Sequence, residues 1–180
     1  MVKAILFSIH SLHYTELRGK KMPATYEPIA TTTASGSTNT VTFSSIPSTY
    51  TDILLVVAGT SASTIDSFCR VNGDTGSNYS YTRLYGTGSV AGSDRSSNQT
   101  EFKAGDFTTT PNAHLLHFMN YANTTTNKTM LFNTKSSASS VIPMACLWRS
   151  TAAINSITLF INSGNFGSGS TFSLYGIASA

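Results

Sequence analysis

From Met22 onward the chain is a series of short apolar stretches separated by clusters of Gly, Asn, Ser and Pro. Their rhythm has a period of two, which predicts strands, and the regular punctuation predicts a sandwich or barrel. Residues 39–44 put Val41 and Phe43 on one face. Residues 51–58 contain the unbroken run Ile53-Leu54-Leu55-Val56-Val57. That run is too short for a helix and predicts a strand buried on both faces, near the middle of the domain. Residues 67–72 form the next strand and end in the turn signal Asn72-Gly73-Asp74. Tyr79, Tyr81, Arg83 and Tyr85 then alternate along another, and residues 102–107 make a weak, short one.

Residues 114–121 and 129–134 flank a run of Asn and Thr and read as a hairpin. Residues 141–148 are apolar apart from Pro143, which predicts an edge or a bulge because proline cannot donate to a ladder. Ile157, Leu159 and Ile161 share a face, and residues 171–177 close the chain with Phe172 and Leu174 inward. The total is about nine strands, with no amphipathic helix after residue 22. The polar stretches 86–100 and 163–170 read as end loops, where binding residues commonly sit.

Composition changes this picture in two ways. Charged residues are only 11% of the chain, and hydroxyls replace them, with 27 Ser and 27 Thr among 180 residues. Threonine is β-branched and favours strands, serine favours turns, and the 19 aromatics and long apolar runs supply enough burial to order the chain. The net charge of +3 is concentrated before residue 22, where Lys3, Arg18, Lys20 and Lys21 face only Glu16. The remaining body is neutral and lacks the basic stripe of a nucleic-acid footprint, so no nucleic-acid partner is expected. No apolar run reaches the ~18 residues of a spanning helix, so no membrane role is expected. Cys69 and Cys146 lie among apolar residues and read as buried thiols, although their spacing also permits one disulfide.

Residues 1–21 stand apart as an N-terminal arm or extension, and residues 22–180 as the β-sandwich domain. The apolar stretch at residues 4–9 is too short for a signal-peptide core. Three readings stay open for it: an arm that docks on a partner, a marginal amphipathic helix, or sequence upstream of a start at Met22.

The candidate chemical motifs fail one by one. Gly86-Thr87-Gly88-Ser89-Val90-Ala91 fits the dinucleotide spacing, but no helical period follows to hold a pyrophosphate. His114 and His117, three apart on a strand, point to opposite faces and cannot share a metal. The loop Asn72-Gly73-Asp74-Thr75-Gly76-Ser77-Asn78 offers calcium a single carboxylate where several are usual. Glu101 and Asp106 are split across the faces of their strand, and no G-x-S-x-G elbow occurs. The expectation is therefore no enzyme: no catalytic residue, no cofactor and no bound metal. Tyr79, Tyr81 and Tyr85 are the remaining lead, as a row that would stack on glycans, fill a subunit interface or form part of the core.

Four stretches carry a family resemblance. They are residues 41–52 (VTFSSIPSTYTD), 70–80 (RVNGDTGSNYS), 148–157 (WRSTAAINSI) and the ending 172–177 (FSLYGI). Across residues 22–180 the chain resembles a family of small bacteriophage virion structural proteins, with Cys146 where that family suggests Gly. The resemblance implies a jelly-roll-like antiparallel β-sandwich on the phage particle surface, as a capsid decoration or a tail-fibre element. It also implies self-association as a homotrimer and contacts with other virion proteins. The alternative expectation is a carbohydrate-binding module or host-receptor adhesin of a tail fibre, using the tyrosines and the two polar loops on a host-surface glycan.

Overall fold

The computed structural model describes residues 25–136 and 140–178, and the expected arm at residues 1–21 lies outside them. Twelve strands and no helix are found among the described residues. They are β1 (Tyr26–Thr33), β2 (Thr40–Phe43), β3 (Asp52–Gly59), β4 (Ile65–Val71), β5 (Tyr79–Gly86) and β6 (Ala91–Gln99). They continue as β7 (Phe102–Phe107), β8 (Asn112–Phe118), β9 (Lys128–Ser136), β10 (Ser140–Trp148), β11 (Ile157–Ile161) and β12 (Thr171–Ile177). An eight-stranded sheet has the order β1-β12-β3-β8-β9-β10-β5-β6, and a four-stranded sheet has β2-β11-β4-β7. All pairs are antiparallel. The protein is an all-β sandwich.

The pairing is nested. β1 pairs with β12, β2 with β11, β3 with β8 and β4 with β7. The remaining strands, β5–β6 and β9–β10, are inserted hairpins that widen the larger sheet beyond β8. The smaller sheet therefore covers only part of the larger one.

The alternation in sequence explains which side chains meet. Ile53, Leu55 and Val57 of β3 and Phe172 and Leu174 of β12 point between the sheets and are buried. Each large apolar side chain buried this way contributes about 1.5–3 kcal/mol. Aromatic rings tie the layers: Phe102 packs edge-on against Tyr79 at 4.8 Å and against Phe132 at 5.6 Å. A second chain runs from His114 to Phe107 (4.6 Å), Phe166 (5.0 Å) and Phe172 (4.9 Å). Cys69 and Cys146 are both free and buried, and burial pushes both thiols upward.

Several expectations need correction. Strands number twelve, since β1 and β6 carry no apolar signal. β6 occupies most of the expected loop at residues 86–100, and only Thr87–Val90 form its turn, closed by a Thr87 amide to Val90 carbonyl bond of 2.9 Å. The other loop is real, but Phe166 within it is fully buried in the core. Pro143 lies in an interior strand, paired with Asn133 of β9. The β10–β5 ladder runs through Val141 and Met144 and skips Ile142 and Pro143, so the missing amide opens the sheet locally. β3 is central, as expected, yet Leu54 and Val56 are only partly buried on its outer side.

β7 departs most from simple alternation. Ala104 and Gly105 are successive and both buried, across a register shift opposite Ser67 and Phe68. Gly105 has φ +101°, and a Cβ there would lie 2.6 Å from Thr134 Oγ1. Glycine is needed for both reasons, and the bulge lets the strand turn its edge under β9.

Candidate functional site

Tyr79, Tyr81 and Tyr85 do share one face of β5, and it is the inner one. Tyr79 is fully buried, and its hydroxyl donates to the Asp74 carbonyl at 2.8 Å. It therefore presents no surface to a glycan, which corrects its expected exposure. Tyr81 and Tyr85 are partly buried and packed on the core. Tyr85 lies over Gly92 of β6, where a Cβ would meet its hydroxyl.

Two of the motif stretches meet in space at one end of the sandwich. Asp74 Oδ2 accepts from Trp148 Nε1 at 2.6 Å and from Asn78 Nδ2 at 2.9 Å, while Oδ1 accepts from the Gly76 amide at 2.7 Å. Burial alone would raise the Asp74 carboxyl, but these donors outweigh it and hold it below the ordinary carboxylate range. Asn72, at φ +53°, accepts from the Asn155 amide at 2.8 Å and donates to the Ala153 carbonyl at 2.8 Å. Arg149 donates to Ser80 Oγ at 2.6 Å, to Asn98 Oδ1 at 2.8 Å and to the Ser77 carbonyl. The loop first weighed as a calcium site is thus a clasp whose carboxylate already holds three donors.

The histidines separate as strand geometry requires. His114 is buried and points inward, with Nδ1 2.9 Å from the Ala104 carbonyl, which makes Nδ1 the protonated nitrogen. Its Nε2 has no hydrogen-bond partner. His117 faces outward and lies 2.9 Å from Asp52 Oδ2.

Glu101 and Asp106 each find other partners. Glu101 accepts from Arg70 at 2.7 Å, and Asp106 instead stands directly across from Asp66 of β4. Lys103 Nζ is 2.7 Å from Asp66 Oδ1 and 3.8 Å from Asp106 Oδ1. Desolvation and the hydrogen bond to Asp66 push Asp106 up to about 6. For Asp66, burial is outweighed by hydrogen bonds from Asp106 and Lys103, and its carboxyl is lowered. Arg83 and Asp94 form a two-pronged pair nearby, both bonds 2.7 Å. Each group ties neighbouring strands of one sheet, Asp66 and Lys103 across β4–β7 and Arg83 and Asp94 across β5–β6.

Ionised Asp106 opposes folding, so its contribution favours the folded state below about pH 4 and is lost as pH rises through 6. Asp106→Asn is expected to raise stability by about 1 kcal/mol at pH 8, after allowance for solvent screening, and to change little at about pH 3.5. Urea unfolding at the two pH values measures this.

The surface with functional character is the outer face of the eight-stranded sheet. An exposed antiparallel face normally carries polar side chains at alternate positions. Here many of those positions are apolar, at Leu54, Val56, Leu115, Leu131, Val141, Pro143, Ala145 and Leu84, with His117, Asn133 and Thr82 set among them. Val56 pairs with Leu115, His117 with Leu131, Leu131 with Ala145, and Lys135 with Val141. Leu84, Leu131, Val141 and Leu115 are 59%, 50%, 50% and 43% exposed. Where the ladder opens at Pro143, the face dips into an open apolar depression of about 530 Å³, lined by Leu84, Leu131, Pro143 and Ala145. Charge is confined to the margins of this area, at Asp52, Lys135 and Arg95. Exposed apolar side chains grouped in this way mark an interaction site.

Compared with known proteins, the chain matches no protein-family model and no curated protein sequence.

The unbroken apolar run at residues 53–57 predicts burial on both faces, and the structure leaves its outer side, at Leu54 and Val56, only partly covered.

Proposed function

We propose that the protein is a virion structural protein, a jelly-roll-like sandwich on the surface of a phage particle that serves as a capsid decoration or a fibre component. The observation that carries this reading is the apolar outer face on a fold whose ionisable groups are engaged in holding strands together. Such a face suits a component that works in permanent contact with other proteins. The nested pairing of β1 with β12, β2 with β11, β3 with β8 and β4 with β7 supports the jelly-roll reading, an architecture used by viral capsid domains. The phage assignment itself rests on the resemblance of residues 41–52, 70–80, 148–157 and 172–177.

In this reading the protein binds copies of itself and other virion proteins, and it is not an enzyme. Its clasp and ion pairs serve stability outside a cell. Mass spectrometry of gradient-purified particles from the phage encoding this chain tests the proposal. The chain is expected among the abundant structural proteins. Its consistent absence from particles that contain the other virion proteins would overturn it.

A further inference from the structure

We infer that the outer face of the eight-stranded sheet is a homodimer interface, in which a second copy packs face to face about a two-fold axis along the β9–β10 seam. The inference rests on reading that face as an assembly surface and names its partner.

The strand register fixes what would meet. With the axis along this seam and parallel to the strands, β9 lies over β10 of the other copy, β8 over β5, and β3 over β6. Each row of side chains then meets the same row reversed. Leu131 falls on Ala145, its neighbour across the seam. Leu115 of β8 falls on Leu84 of β5, so the two exposed leucines flanking the seam cover each other.

The margins are also complementary. Arg95 pairs with Thr82 at the β6 side of the face, and Asp52 stands at the β3 side. The two-fold brings the β6 side of each copy over the β3 side of the other. Each Arg95 is thereby placed one row from an Asp52, and the contact occurs twice. A self-complementary patch of this kind is what a closed two-fold dimer requires.

The size approaches that of a standard interface. The six strands from β3 to β6 overlap their copies and at ~4.8 Å per strand span about 29 Å, and four rows of alternate residues extend about 20 Å. The projected area is about 600 Å², and side-chain relief increases the accessible area. A standard interface buries ~800 Å² per partner.

Light scattering after size-exclusion chromatography of the full chain, from 1 to 100 µM, tests the inference. A species of twice the 19.1 kDa chain mass is expected. Leu131→Asp should weaken association by at least 100-fold while leaving thermal unfolding of the monomer in place. Arg95→Glu should weaken it by about tenfold, with less dependence on salt. As a separate readout, the paired substitutions Leu84→Cys and Leu115→Cys in one chain should give a covalent dimer with a thiol-specific bismaleimide cross-linker of about 8–10 Å span. The native cysteines are buried and should not contribute to it.

A monomer at 100 µM, a trimer, or a dimer indifferent to Leu131→Asp and silent in cross-linking would overturn the two-fold interface. A monomeric chain that is nevertheless found in purified particles would overturn this pairing alone and leave the virion reading intact.

Discussion

Asp74→Ala is expected to lower the stability of the sandwich by about 3–5 kcal/mol, a large part of what holds most domains folded. The substitution removes one carboxylate and strands three donors. The most serious is Trp148 Nε1, because Trp148 is only 2% exposed and water cannot readily replace the 2.6 Å bond. The Gly76 amide and Asn78 Nδ2 lose their acceptor as well. The turn that positions Tyr79 then loosens, and with it the bonds of the Tyr79 hydroxyl to the Asp74 and Val71 carbonyls. Asp74→Asn keeps one acceptor oxygen and should cost roughly half as much. Urea unfolding measures both. Trp148, the single tryptophan, reports the clasp directly, and its fluorescence should shift to the red in the alanine variant before global unfolding.

The stability of the protein should fall by about 3 kcal/mol between pH 6.5 and pH 4 because of His114 alone. Desolvation pushes its imidazole down to about 4, and the bond to Ala104 only partly opposes this. Above pH 6.5 the ring is neutral in the folded and unfolded chains, and its contribution is fully present. Below that, the unfolded chain takes up a proton that the folded chain refuses, and stability drains away until the folded pKa is reached. Asp106 acts in the opposite direction over part of this range, with a smaller magnitude, so His114 sets the net slope. His114→Asn keeps a donor near the Nδ1 position and removes the titration. It should be less stable than the natural protein at pH 7 and should lose the fall from pH 6.5 to 4, leaving only the smaller gain in stability that Asp106 gives as pH drops. Denaturant midpoints taken across this range decide the matter.

The fold class was legible because apolar alternation and turn residues mark each strand that has a buried side. Val41 and Phe43, Ile157 to Ile161, and Phe172 and Leu174 all occupy the core, as their spacing predicts. β1 and β6 were not legible, because they form the edges of the larger sheet and most of their residues are exposed. Such strands have no hydrophobic pattern to read. β7 was legible at its bounds but only as a weak strand, since Ala104 and Gly105 are buried in succession and break the period of two.

The candidate surface was half legible. The apolar residues of β3, β9 and β10 were visible, but their exposure depends on how far the smaller sheet reaches. That is a matter of strand count and order. The partnership of Asp66 with Asp106 was equally hidden, because cross-strand neighbours 40 positions apart leave no local trace. The tyrosines were placed correctly on a common face, and only the sheet order says that this face is the inner one.

Cryo-electron microscopy of the intact particle, at a resolution that separates strands, tests the central claim most directly. The expected result is a two-sheet density on the particle surface whose eight-stranded face is covered by a neighbouring protein subunit. A particle without this density, or one in which the face of Leu84, Leu131 and Val141 is bare to solvent, would contradict it.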